Sequence, residues 1–511
     1  MTIEPLSMLS VLADTDVREW IGDPETTVGS LAHDNRSVEP EALFFCIPGA
    51  RTDGHKFAAS AIDAGAVGLV VERPLGDADG VPSGVTQAVV ARTRDAMAPA
   101  ALRLYRDPAA NGLAVFGVTG TNGKTTVTFL IRHLLTATGT GCGMLGTVCR
   151  VIGGERLDAE RTTAESIELQ RDLRRMLDSG DRAAAIEVSS HALELGRVHG
   201  TGFAAAIFTN LTPEHLDFHE DMDSYFDAKR QLFIPGLGDI GEVAARIVNI
   251  DDPYGARLAA ELDALGLAPV RVSAAGRQEA QYRAVNVTLT TEGSCFGLVA
   301  GDSAPVPVDL PMPGGFNVAN ALCAFAAVDT WQRGEATGRL IAALGDAPSA
   351  PGRMQPVPGA RDFQVVVDYA HTPDSLENAL LASRELTDGR LIVVFGAGGD
   401  RDRTKRPLMG AAAARLADIA VVTSDNPRSE NPDSIIDEIV AGMDEGDAEI
   451  RIEADREQAI RLAIEAAGAG DLVLIAGKGH EQGQEFENGR KVPFDDVSVA
   501  AKWLGKEAAN R

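Results

Sequence analysis

The sequence predicts a three-domain α/β protein: a small N-terminal α/β domain, a central parallel-sheet domain carrying a phosphate loop, and a C-terminal Rossmann-like α/β domain. Three observations predict it. The chain has 511 residues, more than one hydrophobic core comfortably serves, and a norm of about 150 residues per domain gives three. From about Ala184 onward, short β-branched or alanine-rich runs alternate with helical segments, the pattern of parallel sheets. A glycine-rich run, GVTGTNGKTT at Gly117 to Thr126, overlaps the end of the strand-like LAVFGVT.

In the first hundred residues LFFCIPG and AVGLVVE read as short strands around a glycine-rich loop at Gly49 to Gly54, the pattern of a small substrate-holding domain. YRDPAAN (Tyr105 to Asn111) and DAPSAPG (Asp346 to Gly352) read as linkers, which sets the expected domains at 1–106, 107–346 and 347–511. In the middle domain LAVFGVT runs into GTNGKTT, AAAIEV into SSH, AAAIFTNL into TPEH and RIVNI into DDP. The last domain repeats the arrangement: QVVVDYA leads to HTPD, LIVVFGAG to GDRD, IAVVTS to DNPR and LVLIAG to KGHE. Ligands of open α/β sheets sit beyond the carboxyl ends of the strands, so two such rows predict two site halves facing one cleft.

Hydrophobic residues make up 45% of the chain and charged residues 24%, the composition of a folded globular protein. Cys46, Cys142, Cys149, Cys295 and Cys323 form no C-x-x-C pair, so neither a disulfide framework nor a zinc ribbon is expected. The N-terminal MTIEPLSMLSVLADTD has no basic leader, and no later run of about eighteen apolar residues exists, so the expected compartment is the cytoplasm, without membrane contact. A net charge of -27 opposes binding to nucleic acid and requires any anionic substrate to have its own basic pocket.

The glycine-rich run has the chemistry of an ATP site. Gly117, Gly120 and Gly123 are expected to turn backbone amides toward phosphate oxygens, with Thr121, Asn122 and Thr126 beside them. Lys124 reaches the outer phosphates, Thr125 faces magnesium, and the helix that follows offers its N-terminus to anions. The strict G-x-x-x-x-G-K-[ST] pattern is not met, because Val118 stands in place of its first glycine. Glu187 closes AAAIEV, where a strand-end carboxylate can hold Mg²⁺. His215 and His219 in TPEHLDFH share a face if that segment is helical, but a zinc pair would lack both H-E-x-x-H and a third ligand.

Taken together, TGTNGKTT, EVSSHAL, FTNLTPEHLDFH and DAKRQLF, followed by VDYAHTPDSL, FGAGGDRDRTKRPLM, TSDNPRSE and AGKGHE, resemble the Mur ligases over nearly the whole chain. The resemblance implies ATP-dependent amide-bond formation through an acyl phosphate, on a UDP-N-acetylmuramoyl-L-alanyl-D-glutamate substrate. It places Glu187 and His215 at the metal and singles out Lys229 as a lysine carried as a carbamate, itself a magnesium ligand. Asn35 with the Arg51, Thr52 loop, and Thr162, Thr163, Ser189 and Arg197, match positions that hold the muramoyl-peptide nucleotide. Asn317, Arg353, Asp368 and His371 match the outer ATP-site residues, and the protein is expected to be a monomer. Two positions depart from the family's habit: T-T-P-E reads Thr162-Thr163-Ala164-Glu165, and D-S-R reads Asp34-Asn35-Arg36.

DNPR, at Asp425, Asn426, Pro427 and Arg428, resembles the form found in members that add meso-diaminopimelate rather than lysine. An arginine fork can bind the second carboxylate that lysine lacks, and lysine would be expected to leave Arg428 unpaired. Arg401, Gly477 and Glu481 match the remaining amino-acid contacts, with Glu481 suited to the distal ammonium.

Overall fold

The computed structural model describes residues 3–49, 52–214, 218–290, 292–359 and 362–508. Three sheets organise it. The N-terminal sheet has five strands in the order Val17–Ile21, Thr86–Val90, Ala66–Val71, Ala42–Phe45 and Ser30–Ala32, all parallel except the first. The central sheet has eleven strands. Its parallel heart runs Cys142–Leu145, Ala183–Glu187, Ala114–Thr119, Ala205–Phe208, Arg246–Asn249 and Val270–Ser273. The C-terminal sheet has six strands, five of them parallel.

Burial of both faces explains the continuous apolar runs of the parallel strands, since helices cover each side. On one side the helix Lys124–Ala137 contributes Val127, Leu130, Ile131, Leu134 and Leu135, the i, i+3, i+4 spacing of a single apolar stripe. Beside it the helix Gly315–Trp331 is buried almost all round. This packing fixes the first turn of Lys124–Ala137 at the carboxyl end of Ala114–Thr119.

The central sheet also continues as an antiparallel meander, Tyr282–Leu289, Ser294–Ala300 and Val306–Leu310, which the parallel-sheet reading did not foresee. Its first strand is largely exposed, and YRAVNVTL mixes polar with apolar residues as a one-sided antiparallel strand does. The segment around His219 also differs from the helical expectation. His219 sits in a bend before the helix Met222–Arg230 begins, and His215 lies outside the described residues.

Charged contacts join the sheets. Arg94, on the N-terminal helix Thr93–Leu104, lies 2.8 Å from Glu165 of the central domain, and His33 lies 3.2 Å from Glu168. Thr212 donates to Asp374 at 2.7 Å, tying the central domain to the first turn of the C-terminal helix Pro373–Arg384. Within the C-terminal domain Arg456 and Asp496 form a wholly buried pair at 2.7 Å. Removing one partner of such a pair strands a charge in a dry interior, at a cost of about 3–5 kcal/mol. Asp496→Ala is therefore expected to lower the midpoint of thermal unfolding clearly; a melt by circular dichroism that matches wild type would exclude this role.

Candidate active site

The phosphate loop is built by the strand Ala114–Thr119 and the helix Lys124–Ala137. Gly120 has φ 146 and Gly123 φ 88, conformations that L-residues rarely adopt. Space imposes the same choice, since a Cβ on Gly120 would lie 1.9 Å from the Thr209 hydroxyl and one on Gly123 would lie 2.4 Å from Asn320. Gly117 is different. It lies within the strand, where a Cβ would meet the Phe203 ring at 2.6 Å, so it serves packing and does not belong to the phosphate cradle.

Lys124 Nζ donates to the carbonyls of Gly120 and Thr121, both at 2.8 Å. Lys229 Nζ, from the last turn of the helix Met222–Arg230, donates to the same Gly120 carbonyl at 3.0 Å and lies 4.5 Å from the centre of the Tyr225 ring. Burial holds the Lys124 ammonium below the ordinary lysine range. Burial, with the neighbouring Lys124 charge added, pushes Lys229 well below it. Thr121 bonds Tyr225 Oη at 3.2 Å and receives the Thr212 amide at 3.0 Å, while the Asn122 amide donates to Asn210 Oδ1 at 2.9 Å. Thr126 is buried in the first helical turn.

Glu187 ends the strand Ala183–Glu187 and is buried. One oxygen accepts from Thr125 Oγ1 at 3.0 Å and from the Thr147 amide at 2.8 Å; the other accepts from Thr147 Oγ1 at 3.0 Å. Thr147 Oγ1 also lies 3.0 Å from Thr162 Oγ1, whose hydroxyl can donate to it. Thr163 donates to the Glu187 carbonyl at 2.8 Å and accepts the Ser189 amide at 3.1 Å. Arg197 donates to the Thr163 carbonyl at 3.0 Å and pairs with Glu165 at 2.9 Å. Thr125 and Glu187 thus present hard oxygen donors beside the phosphate loop, the chemistry that magnesium takes.

A cavity of about 470 Å³ joins these groups to the C-terminal domain, since its lining includes Thr121 to Thr126, Thr162, Thr163, Glu187, Ser189 and Arg197 together with Arg353, Tyr369 and His371. Arg353 lies 3.4 Å from Thr125 Oγ1 and stacks 4.8 Å from the centre of the Tyr369 ring. Asp368 accepts the Met354 amide at 2.7 Å and the Ala370 amide at 2.9 Å, and burial raises its pKa against the pull of Arg353. Burial lowers His371, whose Nδ1 lies 2.8 Å from the Tyr369 carbonyl. Asn317 is buried at the start of Gly315–Trp331, donating to the Pro313 carbonyl at 2.8 Å, one turn before the Asn320 that packs on Gly123.

The DNPR row forms a second cluster. Arg428 has φ 52; its Nε donates to Glu485 at 2.9 Å and its Nη1 to the Gly399 carbonyl at 2.7 Å. The expectation that a ligand without a second carboxylate would leave Arg428 unpaired is corrected by this Glu485 contact. Asp425 and Asn426 are buried, and Asn426 Nδ2 donates to Glu481 at 2.9 Å. Gly477 has φ 115, and a Cβ there would lie 3.2 Å from the Asp425 carboxylate. Pro427 stands between Asn426 and Arg428, with its carbonyl against Gly399. Arg401 is exposed and touches only the neighbouring Asp400 carbonyl among its described hydrogen bonds. In the N-terminal domain Asn35 donates to Ser60 at 3.1 Å and Thr52 is exposed; neither lines the cavity, and Arg51 lies outside the described residues.

Glu165, Lys478, Glu485 and Tyr369 are site residues that sequence reasoning did not single out. Lys478 and Tyr369 did stand in strand-end motifs, GKGHE and VDYAHT, and that position was the available signal. Glu485 carried none, since its role depends on the strand Gly483–Glu485 folding back to Arg428.

Two sheets whose carboxyl-end loops meet over one phosphate loop, with a second polar cluster in the C-terminal domain, define a phosphate-loop ligase of two-substrate design. The chain matches the Mur ligase family catalytic domain over residues 27–110, the Mur ligase middle domain over 118–328 and the Mur ligase glutamate ligase domain over 352–479. It belongs to the Mur ligase family. It is 40% identical over 502 residues to the UDP-N-acetylmuramoyl-L-alanyl-D-glutamate--2,6-diaminopimelate ligase of Alkaliphilus metalliredigens, covering 98% of each chain. It is 46% identical over 477 residues to the protein of the same name from Chlorobaculum tepidum, covering 91% of this chain and 90% of the other. A solved structure of a ligase of that name is 31% identical and superposes with a TM-score of 0.68 over 99% of this chain and 100% of the other.

His480 beside this pocket has a pH consequence. Its ring lies 5.0 Å from Tyr369, and burial, reinforced by Arg353 and opposed by Glu481, lowers its pKa from 6.5 to about 4. The folded protein thus favours the neutral imidazole. Its contribution to stability is complete above pH 6.5 and is lost as pH falls toward about 4. His480→Gln is expected to flatten the decline of Tm between those values, and an unchanged Tm-against-pH curve would contradict it.

Proposed function

We propose that the chain is an ATP-dependent amide ligase that adds meso-diaminopimelate to UDP-N-acetylmuramoyl-L-alanyl-D-glutamate through an acyl phosphate, in peptidoglycan precursor synthesis. The observation that carries the reading is the shared cavity, which sets the phosphate loop, the Thr162, Thr163, Ser189 and Arg197 group, and Arg353 and His371 of the C-terminal domain around one space. The full-length identity to ligases named for this reaction supports it.

The proposed roles combine the cavity's geometry with the family's motifs. Gly120, Thr121, Asn122, Gly123, Lys124, Thr125 and Thr126 receive the ATP phosphates, and Asn317, Arg353, Asp368 and His371 form the outer part of the nucleotide site. Arg197, Thr162, Thr163 and Ser189 orient the dipeptide end of the acceptor, while Asn35 and the Arg51, Thr52 loop take its nucleotide end. The acceptor carboxylate attacks the γ-phosphorus, ADP leaves, and the charge on the transferring group is met by Lys124. The amine then attacks the acyl carbon; the C–O bond to phosphate breaks with its electron pair, and the ammonium proton is lost. Thr125, Glu187, His215 and Lys229 as carbamate would hold Mg²⁺, which supplies charge neutralisation between phosphate oxygens when bound.

Arg428, Asp425, Asn426, Pro427, Gly477 and Glu481 hold the incoming amino acid, with Arg401 at its rim. We place the domains at 1–106, 107–346 and 347–511, a division supported by sheets spanning 17–90, 114–310 and 355–476. The chain is proposed to work as a cytoplasmic monomer; among the described residues no helix is long and apolar enough to cross a membrane.

Purified protein should release phosphate from ATP when given the UDP-dipeptide and meso-diaminopimelate, and Arg428→Ala should lose about 10–100-fold in kcat/KM for that amino acid, the worth of one charge-assisted contact. Activity with L-lysine and none with meso-diaminopimelate would overturn the assignment. Lys229→Ala should lower kcat about 10²-fold or more, with partial recovery on adding a short-chain carboxylic acid and Mg²⁺. A wild-type rate in that variant would remove the carbamate from the mechanism.

A further inference from the structure

The amino-acid pocket contains a second cation with no role in the reaction as described so far. Lys478 follows the strand Leu472–Ala476 and its side chain is completely buried. Its Nζ lies 2.9 Å from Glu481 Oε2, 3.0 Å from Asn426 Oδ1 and 3.4 Å from Asp425 Oδ1. Glycines on both sides bring it there: Gly477 and Gly479 have φ 115 and 55, and a Cβ on Gly479 would meet Tyr369 at 2.7 Å.

Lys478 decides which way the Asn426 amide faces. Asn426 Oδ1 accepts from Lys478 and from the Glu485 amide at 2.9 Å, so Nδ2 must point to Glu481, to which it donates at 2.9 Å. A flipped amide would set its NH₂ group against an ammonium and a backbone N–H. Lys478 also decides the charge of the pocket. Asp425, Glu481 and Glu485 supply three carboxylates, and Arg428, ion-paired with Glu485, is already engaged. Lys478 is the cation within hydrogen-bond reach of Asp425 and Glu481, and Arg456 adds a more distant positive charge.

Resting on the reading that the chain adds meso-diaminopimelate, we propose that Lys478 is a specificity-determining positioning residue: it fixes Glu481 and Asn426 for the distal ammonium and offsets the carboxylate charge that would repel the distal carboxylate. L-Lysine offers the same pocket an ammonium alone. Loss of Lys478 therefore loosens the ammonium site for both amino acids and adds a carboxylate penalty for the diacid alone, which is specificity by difference.

The test compares steady-state kinetics of wild type, Lys478→Met, Lys478→Arg, Glu481→Gln and the Lys478→Met/Glu481→Gln double variant, each with meso-diaminopimelate and with L-lysine. Lys478→Met should raise KM for meso-diaminopimelate about 10–100-fold, the range for residues that orient ligand-holding side chains, with KM for ATP and the UDP-dipeptide unchanged. Its ratio of kcat/KM for meso-diaminopimelate over L-lysine should fall, and Lys478→Arg should recover part of it. In the double variant Lys478 leaves together with the nearer of its two carboxylate partners, so less uncompensated charge remains than in Lys478→Met, which favours folding, and its loss should be no greater than that of Glu481→Gln alone. An equal loss on both amino acids, an unchanged KM for meso-diaminopimelate, or a double-variant loss equal to the product of the single losses would overturn the proposal. Wild-type turnover with L-lysine alone would instead overturn the functional reading, and this inference with it.

Discussion

Two lysine side chains end on one backbone oxygen. Lys124 and Lys229 both donate to the Gly120 carbonyl, Lys229 is buried and Lys124 half-buried, and the Lys124 charge acts on Lys229. Like charges in a water-poor site repel strongly, and a single carbonyl dipole offsets little of that. The site is thereby set to take anions. Phosphate oxygens answer the need from outside; a carbamate on Lys229, as proposed, would answer it from within by turning one cation into a ligand for another. The arrangement exists because Gly120, at φ 146 with its Cβ position occupied by Thr209, turns its carbonyl to where both lysines reach it.

The same electrostatic logic organises the acceptor side with the signs reversed. Glu165 is buried among Arg94, Arg161 and Arg197, at 2.8, 2.7 and 2.9 Å. Burial alone would raise its pKa, but Arg197 and Arg94 outweigh it and hold the carboxyl below its usual range. One carboxylate thus joins the N-terminal domain, through Arg94, to the arginine that faces the cavity. Arg197 keeps its geometry because Glu165 and the Thr163 carbonyl both hold it, so the carboxylate substrate proposed to bind there would meet an arginine already in place.

What was legible in the sequence follows from what sequence records. Strand ends are local, and every strand-end motif of the two large sheets lies at the carboxyl end of a parallel strand, which is why Lys124, Thr125 and Glu187 converge as their motifs suggest. The glycines of the run look alike in sequence, yet Gly120 and Gly123 take strained turns while Gly117 makes room for Phe203, a partner many residues away. Tertiary pairing was equally hidden. Glu485 reaches Arg428 only after the strand Gly483–Glu485 folds back, and the Ser294–Ala300 meander joins the central sheet only by antiparallel register. His219 illustrates the reverse error: four-residue spacing from His215 suggested a shared helical face, whereas its ring stacks on Tyr225 and bonds Ser190 from a bend.

The paired state of Arg428 changes how selectivity in this pocket has to be understood. An unpaired guanidinium could reject a monoacid by a very large factor, because burying it without a partner is costly. Here Glu485 and the Gly399 carbonyl hold it already, so a ligand without a distal carboxylate forgoes an attraction and leaves no stranded charge. Discrimination must then be shared among groups that each add a modest increment. Glu485 orients the guanidinium, Glu481, held by the Asn426 amide, carries the acceptor proposed for an ammonium, and Lys478 ties Asn426 and Glu481 together from behind. A pocket whose polar groups satisfy one another without ligand gives up the largest possible rejection of the wrong amino acid, but it keeps its geometry, and the right one binds without reorganising the site.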